Sequence, residues 1–463
     1  MRTFLLIVDF GSTFSKFTLI NKEAGEIIAQ TSHPTTQKSS IMTGYKKGKH
    51  DVLLSAGYDD KVDQLEEYFC SSAWGGFKMI VIGFTNTLTQ KAAEAAALGS
   101  GTRIVGSYFY ELTATDLAEI NQQHPDAVLL TGGTDGGNTH FVTTVAKQLA
   151  SQLTTDIAVI YAGNQQARSA IEAIFDSWSG NLYFADNVMP AVNTIAVDDV
   201  RQVARDIFMA KILASNGLDQ VANYARLPII PTPTAVLLAT ELWGSHQQTS
   251  HHDGTLVVDI GGATTDIHTF GKGLPRGINV FYQGVQEPQL KRTVEGDIGM
   301  RESADSVASL IGEETLQTTL ASYFTPHDLQ LAIAKRTKDA AYIADNVADM
   351  ALDDTLAQYA MNTAIHRHVG QIKKFDSETW HQWGKDAREF QSVIATGGIL
   401  IHSPHTKQLL IATFNQERSS DLRPKHPQVY LDNDYVLSAL GVLSQAYPKL
   451  AYQLLCRHLV PMF

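Results

Sequence analysis

The sequence predicts an α/β protein, and three observations carry that expectation. Short apolar runs alternate with helix-like segments over residues 79–190. A strand, glycine turn, strand pattern is built around Asp9 and again around Asp259, 250 positions later, and the apolar run SVIATGG ends in a further glycine turn. Alternation of this kind stacks helices on a mostly parallel sheet.

Taken in order, TFLLIVDF reads as a strand, the following Gly-Ser-Thr as a turn, KFTLI as the returning strand, and 21–25 as the next turn. MIVIGF, TRIVGSYF, DAVLLTGG, DIAVIYAG and NLYFADNV are five candidate strands, separated by helix-like stretches at 89–98, 113–121, 139–151 and 165–175. Continuous apolar strands joined by single crossover helices make right-handed βαβ units buried on both faces, so 79–190 reads as a Rossmann-like α/β insert. The insert separates the N-terminal part of a first domain (1–78) from its helical return (191–250). In that return PIIPTPTAVLLAT should start a helix near Thr234. TLVVDIGGATTDIHTF reopens the hairpin pattern in a second domain expected over 251–430, with an Ala-rich helical stretch at 302–383. Residues 431–463 close the chain as helices.

At 463 residues with 44% hydrophobic content the chain can fill two to four cores. A formal charge of -12 argues against a broad nucleic-acid surface. Cys70 and Cys456 stand far apart and outside any metal-ligand spacing, which gives no support to a zinc site or a disulfide framework and fits a reducing cytoplasm. No run approaches 18 uninterrupted apolar residues, so no membrane partner is expected. His251 and His252 read as exposed linker residues, and Trp74, Tyr108, Phe109 and Tyr110 as core.

Three motifs carry chemistry. DFGSTFSK (9–16) sets a carboxylate, Asp9, at a strand end, then Gly11, Ser12 and Thr13 in a tight turn, then Lys16 on the returning strand. A phosphate needs backbone N–H groups, hydroxyls, a glycine for close approach and a cation, and a carboxylate can hold a hydrated Mg2+ against it. A plain polar hairpin explains this segment equally well on its own. DIGGATTD (259–266) repeats the elements with Asp259, Gly261, Gly262, Thr264, Thr265 and Asp266, and the repetition is what makes a plain hairpin hard to accept. ATGGIL (395–400) adds Gly397 and Gly398, where missing side chains would let a base and ribose lie on the backbone.

These segments resemble the actin, sugar kinase and heat-shock ATPase superfamily. The resemblance implies an actin-like ATPase fold of two duplicated ribonuclease-H-like domains, with ATP and Mg2+ as cofactors. Asp9 and Asp259 would then be the catalytic acids and, with Asp266, the metal-associated ones. Gly11, Ser12, Thr13, Lys16, Gly261, Gly262, Thr264 and Thr265 would bind phosphate, and Gly397 and Gly398 the adenosine. PTPTAVLLA resembles the first connecting helix, with Thr232 where the chaperones carry a glutamate, which implies slow hydrolysis. The helix near Tyr435, with Gly441, resembles the second.

LLTGGTDGGN (129–138) and RTVEGDIGMR (292–301) carry a narrower resemblance, to the glutamate mutase accessory family often called GlmL or MutL. It implies a weak ATPase acting as a chaperone-like reactivating factor, whose domain opening exchanges damaged cobalamin. The partner would be an adenosylcobalamin-dependent mutase, glutamate mutase or a related aminomutase, and a homodimer stays open. Asp135 and Asn138 read either as ligand contacts or as caps, and Glu295, Asp297 and Arg301 have no assigned role. A small-molecule kinase, an ATP-dependent interaction protein and an iron-sulfur dehydratase activator are the other classes considered. No separate acceptor base, no basic amphipathic tail and no paired cysteines support them.

Overall fold

The run TFLLIVDF folds as β1 (Thr3–Phe10), almost wholly buried, and turns back as β2 (Phe14–Asn21), then β3 (Glu26–Pro34) and, after the helix Ile41–Ser55, β4 (Gln64–Ser71). The computed structural model describes residues 3–11, 14–36, 40–58, 64–72, 77–85, 93, 102–192, 194–213, 218–247, 254–376, 378–415 and 421–463. Ser12, Thr13, Trp74, His251, His252 and most of the helix expected at 89–98 lie outside them. Two units divide the chain. The first is Met1–Leu238, Gly284–Pro288 and Ser438–Leu454; the second is Ala239–Gln283, Gln289–Leu437 and Leu455–Phe463.

In the first unit the five apolar runs fold as β5 (Phe77–Gly83), β6 (Thr102–Phe109), β7 (Ala127–Leu130), β8 (Ala158–Tyr161) and β9 (Leu182–Phe184). They form an all-parallel sheet in the order β6-β5-β7-β8-β9. With β10 (Ile230–Pro231), the other sheet of this unit has the order β10-β4-β1-β2-β3. Its β1–β2 and β2–β3 pairs are antiparallel, and its β1–β4 and β4–β10 pairs parallel. Phe109 and Tyr110, expected in the core, are exposed where β6 ends, and Tyr110 holds the left-handed φ of 63°.

The second unit contains β11 (Gly254–Ile260), β12 (Thr265–Gly271), β13 (Val280–Gln283), β14 (Leu290–Glu295), β15 (Gln371–Lys374), β16 (Trp380–Trp383), β17 (Ser392–Thr396), β18 (Gln428–Asp432) and β19 (Leu459–Pro461). Its large sheet runs β14-β12-β11-β17-β18-β19. Numbering strands by chain order within each of these two sheets, the first reads 3-2-1-4-5 and the second 3-2-1-4-5-6; the five shared positions have the same parallel and antiparallel pairs, and β19 adds an antiparallel edge to the second. The helix Val347–His368 buries Leu352, Leu356, Met361 and Ile365 and packs on this sheet. The result is an α/β protein with several mixed sheets.

Three local expectations change. Residues 431–463 are not helical throughout, because Leu459–Pro461 pairs with β18 as the edge strand β19. The helix after β10 starts at Thr232 instead of Thr234, because Pro233 fits a first helical turn, where its missing N–H has no intrahelical partner to lose. The stretch 302–383 is not helical throughout: β15 and β16 join β13 in a three-stranded sheet. QIKK and WHQW carry no strand alternation, so their partners and not their own sequence decide the conformation. Among the described residues no helix is long and apolar enough to cross a membrane.

Candidate functional site

In the first unit Asp9 lies in β1, with its Cα opposite Lys16 on β2 and Cys70 on β4. Asp9 is 8% exposed, and each of its carboxylate oxygens accepts a hydrogen bond. Thr232 Oγ1 donates to Oδ1 at 2.6 Å, and Ser438 Oγ donates to Oδ2 at 2.8 Å. Two neutral hydroxyls stabilise the anion and fix its plane without cancelling its charge. Burial, then the neighbouring Asp9 charge, pushes the Cys70 thiol well above its ordinary range, so it stays protonated beside the carboxylate.

The turn after Asp9 requires glycine for a steric reason. The Gly11 amide donates to the Phe14 carbonyl at 3.1 Å, and a Cβ on Gly11 would stand 2.5 Å from that same oxygen. Thr35 Oγ1 donates to the Gly11 carbonyl at 2.8 Å and meets Ser15 Oγ at 2.9 Å, which ties the turn to the strand end of β3.

In the second unit Asp259 lies in β11, with its Cα opposite Asp266 on β12 and Thr396 on β17. The Gly261 amide donates to the Thr264 carbonyl at 2.8 Å, as Gly11 does to Phe14. The hydroxyls here differ in their duties. Thr265 is fully buried and donates to the Ile298 carbonyl at 2.8 Å, while Thr264 donates to Asp266 at 3.2 Å. The other Asp266 oxygen receives both Nε and Nη2 of Arg292, at 2.7 and 2.6 Å. A fork of that kind pairs the charge fully.

The segment RTVEGDIGMR frames this second loop. The amides of Met300 and Arg301 donate to the carbonyls of Gly261 and Gly262 at 3.0 and 2.7 Å, and Ser303 Oγ donates to the Ala263 carbonyl at 2.7 Å. A Cβ on Gly299 would come within 2.4 Å of the Ala263 carbonyl carbon, so the segment presses directly on the loop backbone. Arg301 then reaches away, giving Nη2 to Asp353 Oδ2 at 3.0 Å and Nε to the Tyr342 carbonyl at 2.8 Å. Asp353 also receives Nε of the fully buried Arg336 at 2.7 Å, and Arg336 continues to Asp349. Burial, partly opposed by Arg367, raises the Glu295 carboxyl above its ordinary range.

The third turn lies beside the second. Gly397 has φ 108°, and a Cβ there would be 2.2 Å from the Ile260 carbonyl, so β17 ends hard against β11. Thr396 donates to Asp432 at 3.0 Å, and Asp432 accepts the Val436 amide at 2.7 Å. Tyr435 stands close to Gly398; its hydroxyl is pushed up to about 12 by burial and then by Asp259 and Asp432. Asp259, Asp266, Gly261, Gly262, Thr264, Thr265, Gly397 and Gly398 are therefore gathered where β11 and β17 end and β12 begins, while Asp9, Gly11 and Lys16 belong to the first unit's loop. Ser438 and Arg292 were not singled out in the sequence as contacts of these acids.

The MutL protein family matches residues 5–459 of the chain. The chain belongs to this glutamate mutase-associated family. It is 37% identical to Protein MutL of Clostridium tetanomorphum over 463 residues, covering 98% of this chain and 99% of that one. Similarity to solved structures is remote. An acetone carboxylase in its nucleotide-free form has a TM-score of 0.45 at 12% identity, over 96% of this chain and 70% of the other. The gluconate kinase of Lactobacillus acidophilus has a TM-score of 0.37 at 13% identity, over 100% and 93%.

The other segment that resembles MutL, LLTGGTDGGN, uses its polar residues to hold its own backbone. Asp135 Oδ1 accepts the Gln165 amide at 3.0 Å and Asn187 Nδ2 at 2.9 Å; Asn138 Oδ1 accepts the His140 amide at 2.7 Å, at the start of the helix His140–Gln152. The alternative of caps over ligand contacts thus has a direct structural basis for both residues.

Proposed function

We propose that this chain is an ATP-binding accessory factor of an adenosylcobalamin-dependent mutase of the glutamate mutase type, acting in the cytoplasm. Weak ATP turnover would be coupled to the exchange of damaged cobalamin. In this reading the two sheets that share the 3-2-1-4-5 order belong to duplicated ribonuclease-H-like domains of an actin-like fold, and the parallel sheet is a Rossmann-like insert. The observation that carries it is the repetition, in a MutL-family chain, of one loop design: an acid late in the first sheet strand, a glycine that only a missing Cβ allows or favours, and a returning strand.

The donor chemistry suits Mg2+ brought with the nucleotide. Magnesium is commonly held by one or two carboxylates together with waters and phosphate oxygens. Among the described residues no cluster of three or more His, Cys, Asp or Glu could hold an ion without such help. In the first unit's loop Asp9 fits, because neutral hydroxyls leave its charge intact, and in the second unit's loop Asp259 is the corresponding acid. Asp266 fits poorly as a direct ligand, since Arg292 pairs with it; we assign it to orienting the loop. Bound Mg2+ would neutralise phosphate charge. The chain's own residues would supply loop amides to phosphate oxygens, a cation at Lys16, and a water-orienting base at Asp259. Thr232 offers a hydroxyl where a chaperone carries a carboxylate, so hydrolysis is slow.

The test is phosphate release and recovered mutase activity when the purified protein, Mg-ATP and cobalamin-inactivated glutamate mutase are combined. Recovery that needs ATP and is lost in Asp9→Ala is expected. Nucleotide binding with no recovery under any condition would remove the mutase from the account.

A further inference from the structure

The three-stranded sheet of the second unit carries a row of aromatic side chains that no loop chemistry explains. Register sets Phe281, His381 and Lys373 side by side across β13, β16 and β15, and Trp383, two residues past His381, falls on the same face. Phe375 follows β15 and stacks on the His381 ring with centroids 4.4 Å apart; Trp383 meets that ring edge-on at 5.9 Å. Yet Phe375 is 70% exposed, Phe281 53% and Trp383 39%. Exposed aromatics packed against one another form a preordered surface, which loses little side-chain freedom when covered.

The sign of the surrounding charge selects the kind of partner. Residues 271–284 and 371–384 carry Lys272, Arg276, Lys373 and Lys374 against Asp376 and Glu378, an excess of positive charge in a chain whose total is -12. Of these cations Lys373 stands on the aromatic face itself, beside His381 in the register, whereas Lys374 lies opposite Trp380 on the other face, its Nζ 6.0 Å from that ring's centre. A second copy meeting this face across a two-fold axis would set like charges together. A long polyanion such as nucleic acid would be repelled by the chain's total charge.

We propose that this sheet face docks an acidic surface of a protein partner. Its identity as the mutase rests on the function proposed above. Complementary charge would steer the encounter and the aromatics would hold the complex.

The experiment is surface plasmon resonance of the full-length chain against glutamate mutase at several salt concentrations. The variants are Phe281→Ala/Trp383→Ala and Lys373→Glu, with melting temperature and Mg-ATP binding as controls for intact folding. The aromatic pair should weaken binding at least about tenfold, mainly through faster dissociation. The charge-reversed variant should slow association and flatten its salt dependence. A wild-type chain that binds mutase and variants that bind it equally well would overturn this surface and leave the function reading standing. A wild-type chain that never binds mutase would overturn the function reading first, and this partner with it. Loss in the variants of self-association, or of nucleic-acid binding, instead of mutase binding would identify a different occupant and also overturn the proposal.

Discussion

Asp9 and Thr232 are separated by 223 positions in the chain and joined by a 2.6 Å hydrogen bond. Together with Ser438 on the other oxygen, the bond fixes a nearly buried carboxylate at the strand end where a phosphate loop begins. Hydrogen bonds to a charged group contribute roughly 1.5–3 kcal/mol. Thr232→Val and Ser438→Ala should each lower unfolding free energy by about that amount in urea titrations. Because both act on one carboxylate, the double variant should depart from simple additivity. Unchanged midpoints would show that water replaces either hydroxyl without loss.

Gly262 and Gly299 separate a ligand's need for space from the fold's. A Cβ on Gly262 would meet Arg301 Cβ at 3.6 Å, an ordinary contact, whereas one on Gly299 would meet the Ala263 carbonyl carbon at 2.4 Å. Gly262→Ala should therefore melt like the wild type and bind Mg-ATP at least about tenfold more weakly, roughly 1.4 kcal/mol. Gly299→Ala should lose melting temperature as well as nucleotide. Equal nucleotide affinity in Gly262→Ala would mean that phosphate does not approach this backbone.

Much of this was readable in the residues, and the reasons it stopped are physical. β7, β8 and β5 from Met79 onward appear as unbroken apolar runs because both faces of that sheet are covered. The two hairpins declare themselves by an acid after apolar strand residues and a glycine turn. Ser438 does not, since a serine in LSALGVLS has no local mark and only the fold brings it to Asp9. Arg292 needed the register of β12 against β14 before its pairing with Asp266 could be seen. β15 and β16 are four-residue strands whose conformation comes from their neighbours.

Asp353 holds Arg301 and Arg336 together, and Arg336 is fully buried. Removing the shared acceptor leaves a buried guanidinium short of a partner, which typically costs about 3–5 kcal/mol. Asp353→Leu should unfold at markedly lower denaturant, while Arg301→Met, whose site is less enclosed, should cost less stability and still displace the second loop. Mant-ATP fluorescence would read the second effect, and an Arg301→Met chain with normal nucleotide affinity would disconnect this network from the loop.

Acid sensitivity follows from His268 and His368. Burial, with Arg292 near the first and Lys291 and Lys385 near the second, holds both rings well below the ordinary value of 6.5. The unfolded chain therefore binds more protons than the folded one once the pH drops below that value. Their contribution is intact above about pH 6.5 and declines as the pH falls, by up to about 1.4 kcal/mol per unit for each ring. Among the described residues His268 has no hydrogen-bond partner on either ring nitrogen, so His268→Leu should flatten the decline by one proton's share. Urea unfolding between about pH 7.5 and about pH 5 measures it; a wild-type slope in the variant would rule this ring out.

Titration calorimetry of Mg-ATP against the wild type, Asp9→Asn and Asp259→Asn tests the central claim most directly. The account predicts binding by the wild type and at least about tenfold weaker binding by each variant, with melting curves that show folded protein. No heat of binding from the wild type, or equal affinity in all three chains, would contradict it.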